Sequence, residues 1–317
     1  MAKVGLWLRG ARGKYAGGVL QKGVSGGTIV RENVKPANPQ SSNQCGQRMK
    51  MLPAARFYTL FEEVLSTSFE GVAYGNKSRW AFLKRALASP AVVCPKNAPT
   101  NYVPPLKVDV SSGSLSAISS ENLIVFTAEG VRQFDLRTYG YHPTDAETVT
   151  LGKWNETSRG DIEVILRKIF GLPDEGFAQI TFIFQAVAED DVFFDKLPRL
   201  SRKYARIKLG YGLATDSKED SYSKILQDIV FEPSDEYGCL ITSNGDPDGL
   251  FGNVGAMAVI TSAFVDGVWR RSTSRYVMDA SLEALYFDDD ALLEESRASY
   301  VKSYNASSSE YLNGGEG

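Results

Sequence analysis

Between Asn122 and Met278 the chain repeats one compositional pattern eight times: a run rich in aromatic and β-branched residues, then a cluster of Gly, Pro, Asp or Asn. The runs are Asn122–Ala128, Glu147–Trp154, Phe177–Ala188, Lys203–Gly212, Ile225–Phe231, Gly238–Ser243, Val254–Val265 and Val268–Met278. Such side chains fit a pleated surface and the residues between them turn the chain, so the pattern predicts strands. Asp266-Gly267, between the last two runs, is a two-residue hairpin signal. Lys203–Leu209 alternates, with Ala205, Ile207 and Leu209 on one side and Tyr204, Arg206 and Lys208 on the other. One buried and one wet face suits an antiparallel sheet. Asp161–Phe170 breaks the pattern with a helix whose face carries Ile162, Ile165 and Ile169. Strands in this number, with one inserted helix, predict a mainly β chain of α+β type. Its body, residues 96–278, is expected to be a β-sandwich or jelly-roll-like.

Ahead of the body lies a stretch of different character. Pro36 and Pro39 hold Lys35 and Asn38 extended, and Ser41, Ser42 or Asn43 then offers a helix cap. Phe57, Leu60, Phe61, Val64 and Leu65 recur at the spacing of one apolar helix face. Pro53 is expected to kink that helix or to begin a second one. A further amphipathic helix is expected from about Lys77 to Ala88, with Trp80, Leu83 and Leu87 as its buried stripe, ended by Pro90 and Pro95. Residues 37–95 thus read as a helical module. Residues 1–36 read as a glycine-rich basic arm, with eight glycines before Thr28. Ordering that much glycine costs backbone entropy, so a stable helix is not expected there. Thr28–Val34 alternates well enough for a strand that needs a partner. Residues 279–317 read as an acidic C-terminal segment, with a loose tail from Ala306.

Net charge is only −3, yet its distribution is uneven. Met1–Arg56 carries ten Lys/Arg against Glu32 alone, and Met278–Gly317 carries nine Asp/Glu against Arg297 and Lys302. Such opposite ends suit docking between copies or onto a partner. The arm candidates are Arg9, Arg12, Lys14, Lys22, Arg31, Lys35 and Arg48. Phe57, Phe61 and Trp80 are expected to pack the helices onto the body or onto a neighbour. Cys45, Cys94 and Cys239 have no metal-ligand or disulfide spacing, which suits reduced thiols in a cytoplasmic setting. The first residues contain no apolar run of signal-peptide length, and no stretch is long enough to span a membrane.

Candidate chemistry is sparse. His142, the single histidine, sits in a turn-like YGYHPTD stretch, which suits a surface role better than a catalytic base. Gly13-Lys14 is followed by Tyr15, where a phosphate loop needs Ser or Thr for magnesium. Asn244 to Gly249 resembles the front of a calcium loop with Asp246 and Asp248, but Gly255 stands where the bidentate Glu belongs. Asp288-Asp289-Asp290 reads as a solvated edge. No catalytic residue, metal site or cofactor is expected, and the chain reads as non-enzymatic.

MAKVGLWLRGARGKYAGGVL, followed by the Asn38-Pro39 hinge and the Gln47-Arg48 helix, resembles an uncharacterised domain family of gut Bacteroidales and their phages. The closing hairpin AMAVITSAFVDGVWRRSTSRYVM is similar to that family's last hairpin. The resemblance covers about the first ninety residues and the last hairpin. It implies a phage or mobile-element context and carries over no catalytic residue. The resulting expectation is a bacteriophage structural protein: a capsid or capsid-associated subunit, assembled in the host cytoplasm into the virion. Its expected partners are copies of itself, other virion proteins and packaged nucleic acid at the arm. A head–tail ring or tail component, a single-stranded nucleic-acid-binding protein and a carbohydrate-binding β-sandwich are the alternatives.

Overall fold

The computed structural model describes residues 2–3, 13–15, 18–22, 28–32, 42–116, 124–127, 130–134, 149–150, 163–164, 166–168, 170–193, 197–210, 229–234, 238–243 and 253–313. The chain divides into two compact units, Met1–Ser41 and Ser42–Gly317.

The first unit contains four short strands, β1 (Ala2–Lys3), β2 (Gly13–Tyr15), β3 (Gly18–Lys22) and β4 (Thr28–Glu32). They form one antiparallel sheet in the order β1-β4-β3-β2. The partner that Thr28–Val34 needs is therefore supplied inside the arm, by β3 and β1. Pairing among short strands ties backbone groups that glycine would otherwise leave to water.

In the second unit the apolar spacing of the N-terminal helices holds. Helix α1 (Ser42–Leu60) runs through Pro53 without ending, and α2 (Glu62–Leu65) follows after Phe61. Cys45, Met49, Ala54, Phe57, Tyr58, Phe61, Val64 and Leu65 are buried along one stripe, most of them three or four residues from another. Packing of that stripe offsets the hydrogen bond that Pro53 removes. Helix α3 (Asn76–Ala88) buries Ser78, Phe82, Leu83 and Ala86. Trp80 stands two residues from both Ser78 and Phe82, about 200° around the helix, and is 62% exposed. The expected buried stripe of Trp80, Leu83 and Leu87 is thus corrected: Leu83 is in the core, Leu87 is half-buried and Trp80 faces out.

The principal sheet has the order β10-β9-β13-β14, with β16 also on β13. Its strands are β9 (Ala178–Phe193), β10 (Leu197–Leu209), β13 (Val254–Val265), β14 (Val268–Arg271) and β16 (Val277–Met278), all antiparallel. The turn between β13 and β14 places Asp266 at φ 52° and Gly267 at φ 78°, the left-handed pair that an Asp-Gly hairpin turn requires. β10 begins at Leu197, ahead of the expected Lys203, and tolerates Pro198 because its register shifts between Pro198 and Arg199. Outside this sheet, β5 (Asp109–Ser111) pairs with β15 (Ser274–Arg275), β6 (Ile124–Thr127) with β7 (Gly130–Phe134), and β11 (Ile229–Ser234) with β8 (Val149–Thr150) and β12 (Gly238–Ser243).

Helices cover one face of the principal sheet. Phe57, Phe61, Phe82 and Leu83 share a core with Ile183, Ala256, Ala258, Ile260 and Tyr276. The helices of residues 37–95 and the strands of 96–278 therefore form one hydrophobic interior. On the opposite face Ile180, Phe182, Phe184, Met257 and Val259 are buried, and Phe170 meets Phe182 edge-on at 6.2 Å. Residues 163–164 and 166–168 are helical, with Leu166 buried; Ile162, Ile165 and Ile169 lie outside the described residues. The chain is an α+β mixture, with a helical layer against an antiparallel sheet.

The acidic segment starts with α4 (Ala280–Glu283), capped by Asp279, and a π-helical turn, Ala284–Asp288. Helix α5 (Asp290–Asn313) then runs well into the stretch expected to be loose. Asp289 Oδ1 accepts from the Leu292 N–H at 3.0 Å, so part of the Asp288–Asp290 run is a helix cap. Ser296 and Tyr300 on α5 hold the buried Cys94 backbone, at 3.1 and 2.8 Å.

Candidate functional site

The helical layer stops short of one end of the sheet, and what it leaves uncovered follows from strand register. Side chains alternate between faces, so every second residue points to the helical side. Ile183 and Ala258 pair on that side beneath the helices. The next row is Arg206–Thr181–Ile260, and the row after it is Lys208–Gln179–Ser262–Arg271. Beyond them lie Phe264 and Trp269, paired across β13 and β14, with Phe177 held against Phe264 by a backbone bond of 2.8 Å. The sheet face therefore runs from apolar, under the helices, through a polar band to an aromatic row.

The polar band forms the floor of a cleft of about 420 Å³, roofed by Glu63, Val64, Thr67 and Ser68 where α2 ends. Thr181 is buried, and Gln179 and Ser262 are half-buried. Arg206 enters from β10; its guanidinium carbon lies 6.0 Å from the Tyr204 ring centroid, and its buried Nε has no hydrogen-bond partner among the described residues. Arg271 enters from β14, with Nη1 donating to the Trp269 carbonyl at 3.2 Å. Burial lowers the pKa of Arg271, opposed by the charge of Glu70.

Beside the cleft, Glu70 ties three segments together. Its carboxylate accepts from the Ser114 N–H and hydroxyl, both at 2.9 Å, from Arg270 Nη1 at 2.8 Å and from the Arg271 N–H at 3.1 Å. The Ser114 N–H is the largest cause, ahead of opposing burial and the Arg270 side chain, of a pKa lowered to about 2. Gly113 makes this approach feasible, because a Cβ there would collide with the Arg271 carbonyl oxygen and with the Glu70 carboxylate.

The aromatic row is open to solvent. Phe177 is 45% exposed and Phe264 41%, Trp269 is half-buried, and the Phe264 and Trp269 ring centroids are 5.7 Å apart.

The residues singled out in the sequence are distributed differently. Arg9, Arg12 and Lys35 lie outside the described residues, as do His142, Asp246 and Asp248. Lys14, Lys22 and Arg31 fall on β2, β3 and β4. Arg48 is half-buried on α1, and Phe57 and Phe61 are core residues. Two further cations of the basic stretch have internal duties. Lys50 donates to the Leu87 and Ser89 carbonyls at the end of α3, at 3.4 and 2.6 Å. Arg56 holds the Ala98 and Tyr102 carbonyls, at 2.9 and 3.0 Å. Cys45 and Cys94 are buried thiols, and burial pushes Cys94 up to about 12. Among the described residues no group of three His, Cys, Asp or Glu could hold a metal ion, and no helix is long and apolar enough to cross a membrane.

Sequence reasoning did not find the cleft. Alternation in Lys203–Leu209 put Arg206 on a wet face, but which residues of other strands join it is a matter of register. No family model matches the chain, and neither a curated protein nor a solved structure is significantly similar to it.

Proposed function

We propose that this chain is a non-enzymatic structural protein of a bacteriophage virion, a capsid or capsid-associated subunit that assembles with copies of itself. The observation that carries the assembly reading is the aromatic row beyond the helices, in which Phe177 and Phe264 are exposed and Trp269 is half-buried. An aromatic row left beyond the last helix gains by being covered, because burial removes that area from water. A neighbouring subunit supplies such a cover in a repeated array. The basic strands of Met1–Ser41 and the acidic residues after Met278 add complementary charge between copies. Packaged nucleic acid is the other partner of that basic unit. The phage and virion context comes from the resemblance of the N-terminal stretch and the closing hairpin. A head–tail ring or tail component belongs to the same class of assembly. The reading also takes the strands outside the principal sheet as the second layer of a sandwich-type body, in keeping with the approach of β7 to β12 and β13.

Sedimentation of the full-length chain at low and high salt tests this. The expected result is a species many times larger than the 34.7 kDa chain, reduced to small species in a Phe177→Ser, Phe264→Ser double variant. A monomer at every salt concentration overturns it.

A further inference from the structure

The cleft between α2 and the sheet has a composition that a sheet face merely awaiting a neighbour does not need. Apolar packing would favour aliphatic side chains there, as it does at Ile183 and Ala258 one row earlier. Instead, the floor sets a hydroxyl, an amide and a second hydroxyl, from Thr181, Gln179 and Ser262, beside Ile260, with a guanidinium at each end. Arg206 and Arg271 stand on strands three spacings apart, about 14 Å across the sheet, and both line the same cleft. Long side chains from both ends can reach toward its middle.

Two observations point to a ligand. The Nε of Arg206 is buried without an acceptor among the described residues, although buried donors are paired as a rule because losing water without a replacement is costly. Nearby carboxylates do not meet that need. Glu70 is fully engaged by Ser114, Arg270 and the Arg271 backbone, and Glu63 lies exposed on the roof. With Arg270 paired to Glu70, Arg206 and Arg271 outweigh Glu63 among the lining residues, and Lys208 stands in the same row. That positive balance suits an oxyanion group. Val64, Ile260 and Trp269 provide apolar walls, so the rest of the ligand is organic. The volume of about 420 Å³ lies within the roughly 300–1,000 Å³ common for small-molecule pockets.

We propose that the cleft binds a small organic molecule carrying one oxyanion, a carboxylate or a phosphate monoester, held by the Arg206 and Arg271 guanidiniums over Thr181, Gln179 and Ser262. Guanidinium forks match both groups through paired N–H donors. The site adjoins the aromatic surface and shares Trp269 with it, but its Arg206 and Arg271 lie outside that surface, so their variants test the site separately from the assembly reading.

Calorimetric titration of the full chain with benzoate, phenyl phosphate and neutral benzamide tests the proposal. The three probes share a ring and differ in the head group. Expected is saturable one-to-one binding of an anionic probe, at least tenfold weaker in Arg206→Gln and in Arg271→Gln and unchanged in Arg297→Gln on the distant α5 surface. Tighter binding of benzoate identifies a carboxylate ligand, and tighter binding of phenyl phosphate identifies a phosphate ester. Should Arg206→Gln fail to fold, Arg206→Lys keeps the charge, loses the fork, and is expected to bind severalfold more weakly. No saturable binding of either anion, equal binding of benzamide, or unchanged affinity in the folded Arg206 variant overturns the proposal.

Discussion

Phe57 and Trp80 are both large aromatic residues on amphipathic helices, and their surroundings separate them. Phe57 is fully buried, with the Phe61 and Tyr276 rings at 5.0 Å and Phe82 stacked at 5.8 Å. Truncating it removes apolar contacts and leaves a cavity in a close-packed interior. Phe57→Ala is expected to destabilise the chain by about 3–5 kcal/mol, and Trp80→Ala by no more than about 0.5 kcal/mol. Urea midpoints of the two variants check the contrast; equal midpoints would place Phe57 outside the core. A similar division applies to polar residues. Gln185 is completely buried yet satisfied, donating to the Val103 carbonyl at 2.9 Å and accepting from the Tyr276 hydroxyl at 3.1 Å. Arg206 Nε is buried without such a partner among the described residues, and that difference gives Arg206 its place in the proposed site.

Among elements, the joint at Glu70 couples the end of the helical layer to β14 and to Ser114. Its carboxyl has a pKa of about 2 in the folded chain, against an ordinary value of 4.5. The folded state thus binds this proton less readily than the unfolded state. The stabilisation is complete above pH 4.5 and is lost as pH falls toward 2. Wild type is expected to lose stability over that window more steeply than Glu70→Gln, as followed by denaturant midpoints at stepped pH. Parallel slopes would show that the carboxylate contributes nothing to the joint. Element boundaries were legible to differing degrees. Gly238–Ser243 and Val254–Val265 match their strands at both ends, because β-branched runs are bounded by turn residues. Val268–Met278 is broken into three strands, since it changes partners from β13 to β5 and back. No local signal marks a change of partner.

For the whole molecule, the division at Ser41/Ser42 matters most. The hydrophobic core draws its residues from Ala54 onward, so removing residues 1–41 should leave the second unit folded with an unchanged urea midpoint. Under the assembly reading the truncated chain no longer forms large particles, because the basic strands are gone. Sedimentation beside the full-length chain decides this. Particles of unchanged size would remove the first unit from the assembly contacts while leaving the aromatic row in place.

Patterning alone determined the strand-rich body, the Asp-Gly hairpin, the buried stripe of α1 and the opposite charge of the two ends. These properties reside in neighbouring residues and need only backbone geometry and hydropathy. Tertiary structure decided that Trp80 faces outward, that Lys50 and Arg56 bind carbonyls within the fold, and that Arg206, Thr181, Ser262 and Arg271 share one cleft. Those four come from four strands and span some ninety positions. Only the register of those strands, and the point at which the helical layer ends, brings them together.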